Sequence, residues 1–239
     1  MKDRCIPQPP ALQTRDLTRK YGRVTAISGL DLTVEPGEKV VLVGPNGSGK
    51  TTLIKLLATL IKPTSGAVFI HGYDAGRHDA AIRANIGVVL HEPLLYGRLT
   101  AAENLRFYAR MFRVPDADAR IHALADQLDL TNLLKTRVDV LSHGQRKRFS
   151  MLRAVLHDPA ILLLDEPDSG LDSTALQRLF DLCNSQPRTI IMSTHNLDNG
   201  LQIADRALFL KRGRVVMDSG VGALERDVLD TRYEALAVG

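Results

Sequence analysis

The chain has 239 residues, 44% hydrophobic and 24% charged, with a formal net charge of +4, the makeup of a globular protein able to bury a sizeable core as one domain. Its strongest apolar runs, Val40–Val43 and Ile161–Leu164, fall far short of the roughly 18 residues a membrane-spanning helix needs, so work at a membrane would require a second chain that crosses it. The two cysteines, Cys5 and Cys183, lack metal-site spacing, which sets aside a zinc or redox role and fits a reducing compartment.

In chain order, residues 1–11 carry charges and then Pro7, Pro9 and Pro10 where a secretory signal would be continuously apolar, so they read as a flexible leader before a single domain over 12–239. Glu38–Val43 is a short β-branched run ending at a glycine-rich loop, and Lys50–Leu60 follows as a helix. Past the turn cluster Pro63–Gly66, Ala67–Ile70 and Ile86–Leu90 read as strands. Thr100-Ala-Ala-Glu103 is a capping-box sequence that opens a helix to about Phe112, and Ala117–Leu128 and Ser142–His157 continue a helical region over about 92–158. Within it, Arg146, Lys147 and Arg148 form the densest basic run, which suits a solvated helix face as well as a binding patch. The strand pattern resumes at Ile161–Leu164 and Thr189–Ser193, with a helix from about Asp172 between them. Arg206–Leu210 and Val215–Met217 flank Gly213 as a hairpin. Alternating strands and helices predict an α/β fold around a largely parallel sheet, with a helical subdomain inserted.

Two segments carry chemistry. Gly44, Pro45, Asn46, Gly47, Ser48, Gly49, Lys50 and Thr51 fit G-x-x-x-x-G-K-[ST], with Thr52 next along the helix. In that pattern small residues let backbone N–H groups surround phosphates, the lysine meets the β and γ phosphates, and the hydroxyl of Thr51 faces Mg²⁺ at a helix N-terminus. A chance match in a chain this long has odds of roughly one per cent. Asp165 and Glu166 end the run Ile161–Leu164, where the carboxyl edge of a parallel sheet presents ligand-facing groups. Asp165 is placed to hold Mg²⁺ and Glu166 to orient the attacking water. Ser142 and Gln145 stand three apart as a capping box, which gives Ser142 a role in helix initiation whatever else it does.

Leu141-Ser-His-Gly-Gln145, Leu164-Asp-Glu-Pro167 and Ser169-Gly-Leu-Asp172, with His195 after the strand Thr189–Ser193 and Tyr21 in Arg19-Lys-Tyr-Gly22, resemble the motifs of ABC ATPases in their order. The resemblance spans about Leu12 to Gly220. It implies a P-loop NTPase, a RecA-like core with an antiparallel β-subdomain and an inserted helical subdomain, that binds ATP and Mg²⁺. It assigns Lys50, Glu166 and His195 to catalysis and Tyr21 to stacking on adenine, with packing under the β-subdomain as the alternative. Ser142, Gly144, Gln145 and Asp172 would meet ATP across a head-to-tail homodimer driven against an integral-membrane permease on the cytoplasmic face.

The chain departs from the family pattern twice. His91 replaces a glutamine that touches Mg²⁺ and water, so with Thr51 and Asp165 it is a candidate metal residue whose neutral imidazole can coordinate the ion or accept from its water, and His143 replaces the first signature glycine. An imidazole, unlike a carboxamide, can change charge near neutral pH, which would give coupling a pH dependence. His91-Glu-Pro-Leu-Leu-Tyr96, Leu99–Arg110 and Gly200–Arg206 resemble exporter ATPases, among them the haem-exporter ATPase of cytochrome c maturation. Phrases of this kind also occur in drug, lipid and polysaccharide exporters. The resemblance implies no stable zinc or haem binding by the chain itself. A soluble ABC ATPase acting on ribosomes or DNA is favoured only by the basic charge, and no second cassette or coiled-coil insertion accompanies it, so nucleic acid is not an expected partner.

Overall fold

The computed structural model describes residues 9–77 and 79–223. The first eight residues of the expected leader lie outside them, while Ala11 is buried and its carbonyl accepts from the His71 amide at 3.0 Å. The chain builds two sheets. The first is antiparallel, in the order β2 (Val24–Val34), β1 (Leu12–Tyr21), β4 (Ser65–Ile70), β5 (Tyr73–Asp74). The second has the order β10 (Arg214–Gly220), β9 (Arg206–Lys211), β3 (Lys39–Val43), β8 (Thr189–Ser193), β7 (Ile161–Asp165), β6 (Ile86–Val89). All of its neighbours run parallel except the β9–β10 hairpin, in which Gly213 turns at φ 74°.

The parallel strands are buried on both faces, which is why they read as unbroken apolar runs. One layer of core, including Leu42, Leu53, Ile54, Leu163 and Leu208, packs α1 (Lys50–Leu57) and the antiparallel sheet against one face. The other, including Leu105, Phe149, Leu152, Leu164 and Phe180, packs α3 (Ala101–Met111), α4 (Ala117–Gln127), α5 (His143–Val155) and α6 (Ser173–Asn184) against the opposite face. The remaining α-helices among the described residues are α2 (Asp79–Ala84) and α7 (Leu197–Leu201).

Local chemistry sets the boundaries. Thr100 caps α3 with the reciprocal Glu103 bonds of a capping box, as its sequence predicts. Helix α1 stops three residues before the expected end because Thr59 turns left-handed at φ 59°. Helix α5 ends at Val155, before Asp158 at φ 54° and Pro159. Strands β1 and β2 carry no clean two-residue alternation, because Asp16 sits at φ 46° and the pairing register shifts on either side of Leu17. Arg206 joins the sheets: it donates to the Thr33 carbonyl at 2.9 Å, to Glu38 at 3.1 Å and to both Asp218 oxygens at 2.6 Å. Among the described residues no helix is long and apolar enough to cross a membrane.

Candidate active site

The phosphate loop leaves β3 at the carboxyl edge of the sheet, between β9 and β8. Its conformation demands glycine. Gly44 and Gly49 lie at φ 150° and 113°, and a Cβ would stand 2.2 Å from the Leu210 carbonyl oxygen at the first and 2.6 Å from that of Ala26 at the second. The loop is thereby pressed onto β9 and β2, and the Ser48 carbonyl accepts from the Gly213 amide at 2.8 Å. Helix α1 then begins with neither a side-chain cap nor an acid in its first turn, so its leading N–H groups and positive dipole end face the loop's concavity. Lys50 is buried, and its Nζ donates to the carbonyls of Gly44 at 2.6 Å and Pro45 at 3.2 Å. Burial lowers its pKa, while Glu166 and Asp165 pull it back up.

Strands β7 and β8 end in register, Asp165 beside Ser193, and this alignment assembles the acidic side of the site. The Oδ1 of buried Asp165 accepts from Ser193 Oγ at 2.7 Å and from Thr51 Oγ1 at 3.1 Å. A hydroxyl and a carboxylate held this close form a hard-oxygen pair suited to Mg²⁺. Glu166 adopts φ 49°, an uncommon conformation for a residue with a Cβ, and its amide donates to both Ser193 Oγ and the Ser193 carbonyl at 3.1 Å. Its Oε1 lies 2.5 Å from His195 Nε2. Tyr21, Ala26, Asn46, Gly47, Ser48, Gly49, Lys50, Thr51, Thr52 and Glu166 line a cleft of about 290 Å³. The loop's backbone N–H groups and Lys50 supply donors suited to phosphate, and Tyr21 shares the lining with them. The Tyr21 ring is not packed under the antiparallel sheet: it is 45% exposed, with the Arg19 guanidinium 4.5 Å from its centroid.

Other expected residues sit elsewhere. Ser142 caps α5, accepting from the Gln145 amide at 3.2 Å while Gln145 Oε1 accepts from the Ser142 amide at 2.8 Å. Ser142, Gly144, Gln145 and Asp172 do not line the cleft. Gly144 packs against the segment after β7, where a Cβ would lie 3.2 Å from the Gly170 carbonyl oxygen. Asp172 caps α6 by accepting from the Ala175 amide at 2.8 Å. His91 is exposed beyond β6, its ring 6.4 Å from that of His143, and no hydrogen bond ties it to Thr51 or Asp165. The basic run is not a solvated face: Lys147 is buried, and Arg148 donates to the Leu128 carbonyl at 2.9 Å.

Two supporting residues were not singled out by sequence motifs. Ser193 joins Asp165 to Glu166. Asp168 Oδ2 accepts from Thr194 Oγ1 at 2.7 Å and from Asn199 Nδ2 at 3.0 Å, which pins the loop carrying His195. Their only sequence signal is proximity to Asp165 and His195.

A phosphate loop on a parallel sheet, a hard-oxygen pair and a carboxylate at the cleft lip define a P-loop NTPase. The chain belongs to the ABC transporter family, whose model matches residues 27–169. Among similar proteins, the ABC transporter ATP-binding protein NatA of Bacillus subtilis is 33% identical over 89% of this chain and 85% of its own length. The phosphonates import ATP-binding protein PhnC of Alcaligenes faecalis is 34% identical over 94% of this chain and 88% of its own. A solved dimeric post-hydrolysis state of an ATP-binding cassette, bound to ADP and phosphate, superposes with a TM-score of 0.79 at 27% identity, covering 88% of this chain and 98% of that one. ATP and Mg²⁺ are accordingly the ligands of this domain.

Proposed function

We propose that this chain hydrolyses ATP as the engine of a transporter, working as a head-to-tail dimer on the cytoplasmic face of a membrane against a separate permease. The observation that carries the hydrolytic reading is the continuous contact chain Thr51–Asp165–Ser193–Glu166–His195 at the lip of the cleft. In this reading the loop amides and Lys50 bind the phosphates, and Tyr21 takes the base. Thr51 and Asp165 hold Mg²⁺, which when bound withdraws charge from phosphate oxygens. Glu166, its backbone fixed by Ser193, orients the attacking water and takes its proton, and His195 fixes the carboxylate's direction. Ser142, Gly144, Gln145 and Asp172 meet the nucleotide of the opposite protomer, consistent with their position outside the cleft of their own chain. The segment 92–158 acts as the helical subdomain. Binding closes the pair and hydrolysis releases it, so energy is used as a conformational switch.

Export is the direction we propose, on the strength of the segments around His91–Arg110 and Gly200–Arg206, with haem for cytochrome c assembly as the favoured cargo. The similar proteins include one named for phosphonate import, so direction and cargo rest on those segments alone. The deciding experiment uses Glu166→Gln. Steady turnover should vanish while ATP still drives dimerisation, and a multispanning partner should co-purify from native membranes in mild detergent. Cytochrome c assembly proteins among the partners support haem export. Wild-type turnover refutes the base, and recovery with ribosomes or DNA refutes transport.

A further inference from the structure

Arg19 has no task in that mechanism, yet it is fixed against a residue that does. Strand β1 ends at Tyr21, and the residues before the tyrosine are tied to the loop that follows α1. The Lys20 amide donates to Thr64 Oγ1 at 3.0 Å, the Thr64 amide donates to the Thr18 carbonyl at 2.8 Å, and Arg19 Nη1 donates to the Lys62 carbonyl at 2.9 Å. Arg19 is thereby held through its neighbours' backbone and at its own guanidinium, whose carbon stands 4.5 Å from the centre of the Tyr21 ring. Its Nε is buried and meets no hydrogen-bond partner among the described residues. A guanidinium pointing outward turns its donors to water, whereas one laid over a ring is attracted by the negative π face. Tyr21 lines the cleft and Arg19 does not, so the cation stands behind the ring rather than in the nucleotide's path.

We propose that Arg19 is a positioning residue for the nucleotide base: its guanidinium, anchored on Lys62, backs one face of the Tyr21 ring and so presents the other to the base. This rests on the reading of Tyr21 as the base contact. A ring that is 45% exposed has rotamer freedom to lose when a base stacks on it, and a cation that already holds it lowers that cost. Arg19 acts through the ring alone, without touching phosphate. Inorganic tripolyphosphate, which offers the phosphate loop the same run of phosphates and no base, should therefore be indifferent to it. An arginine that worked through its charge or through the fold of the loop would move both ligands alike.

The test measures, by isothermal titration calorimetry on the full chain with Mg²⁺, the Kd of the non-hydrolysable imido analogue of ATP and that of inorganic tripolyphosphate. Arg19→Met should raise Kd for the analogue by about two- to fivefold and leave Kd for tripolyphosphate within about 1.5-fold of wild type. Arg19→Lys, which keeps the charge without the planar fork, should fall between wild type and Arg19→Met for the analogue. In a Tyr21→Ala background Arg19→Met should change Kd for the analogue by less than about 1.5-fold, because the ring it acts through is gone. Equal weakening of both ligands overturns the proposal, as does an analogue Kd that is unchanged or lower in Arg19→Met, or a loss that persists in full without the Tyr21 ring. Should the Met variant fail to fold, Arg19→Lys carries the same comparison of the two ligands. Tyr21→Ala alone runs alongside: an unchanged analogue Kd there removes Tyr21 from the base, whereas a raised one with Arg19→Met at wild-type affinity removes only Arg19.

Discussion

Ser193→Ala removes one hydroxyl from the centre of the site, and its effect can be worked from the contacts. Ser193 is fully buried; its Oγ donates to Asp165 at 2.7 Å and accepts from the Glu166 amide at 3.1 Å. The second contact is duplicated, because the Ser193 carbonyl also accepts from that amide at 3.1 Å, so the loss falls mainly on Asp165. A hydrogen bond to a charged group contributes about 1.5–3 kcal/mol, and among the described residues Asp165 keeps Thr51 as its one remaining side-chain donor. At about 2–4 °C per kcal/mol for a domain of this size, the thermal midpoint should fall by about 3–12 °C. Circular dichroism melts at fixed pH and ionic strength, without nucleotide, give the number. Because Glu166 loses part of its anchor, kcat should fall alongside. A midpoint within about 1 °C of wild type would show that Ser193 does not stabilise the Asp165 carboxylate, and the account of how β8 organises the acidic edge would be wrong.

The thiol of Cys183 is buried and its pKa is pushed up to about 12, so iodoacetamide at pH 8 should leave it unmodified in the folded protein and label it in denaturant, as read by peptide mass spectrometry. His157, stacked on Phe112 at 3.9 Å, is driven down to about 4 by burial. The unfolded chain therefore binds a proton that the folded chain refuses, so stability should be held above about pH 6.5 and decline towards pH 4 by up to about 3 kcal/mol. His157→Gln should flatten that slope in urea titrations. Tyr21→Ala should raise KM for ATP by about three- to tenfold with a smaller change in kcat, and equal losses in both would remove Tyr21 from nucleotide binding. Gly66→Ala should destabilise by well over 1 kcal/mol, since its φ is 79° and a Cβ would meet the Asp16 carbonyl oxygen at 2.2 Å; an unchanged urea midpoint would contradict that contact.

The parallel sheet was legible because strands buried on both faces write themselves as apolar runs, and β8 matches the expected Thr189–Ser193 residue for residue. The capping boxes at Thr100 and Ser142 were legible because they are local. Strands β1 and β2 were not: charged and apolar residues mix, and the bulge around Asp16 breaks the alternation that marks a strand. The phosphate loop, Asp165 and Glu166 announce themselves through spacing. Ser193 and Asp168 act through neighbours brought close by strand register, which no spacing encodes. The basic run misleads because three adjacent cations on a helix point in different directions, and the middle one turns inward.

That Ser142 and Gly144 stand apart from the cleft of their own chain has a consequence for mixtures. If each composite site draws its phosphate loop from one protomer and its signature turn from the other, then Lys50→Ala and Ser142→Ala damage opposite halves. A pair containing one of each concentrates both lesions in one site and leaves the other wholly wild type. Two preparations that are each inactive as homodimers should then regain partial ATPase activity when co-expressed, a form of complementation that a self-contained site would not permit.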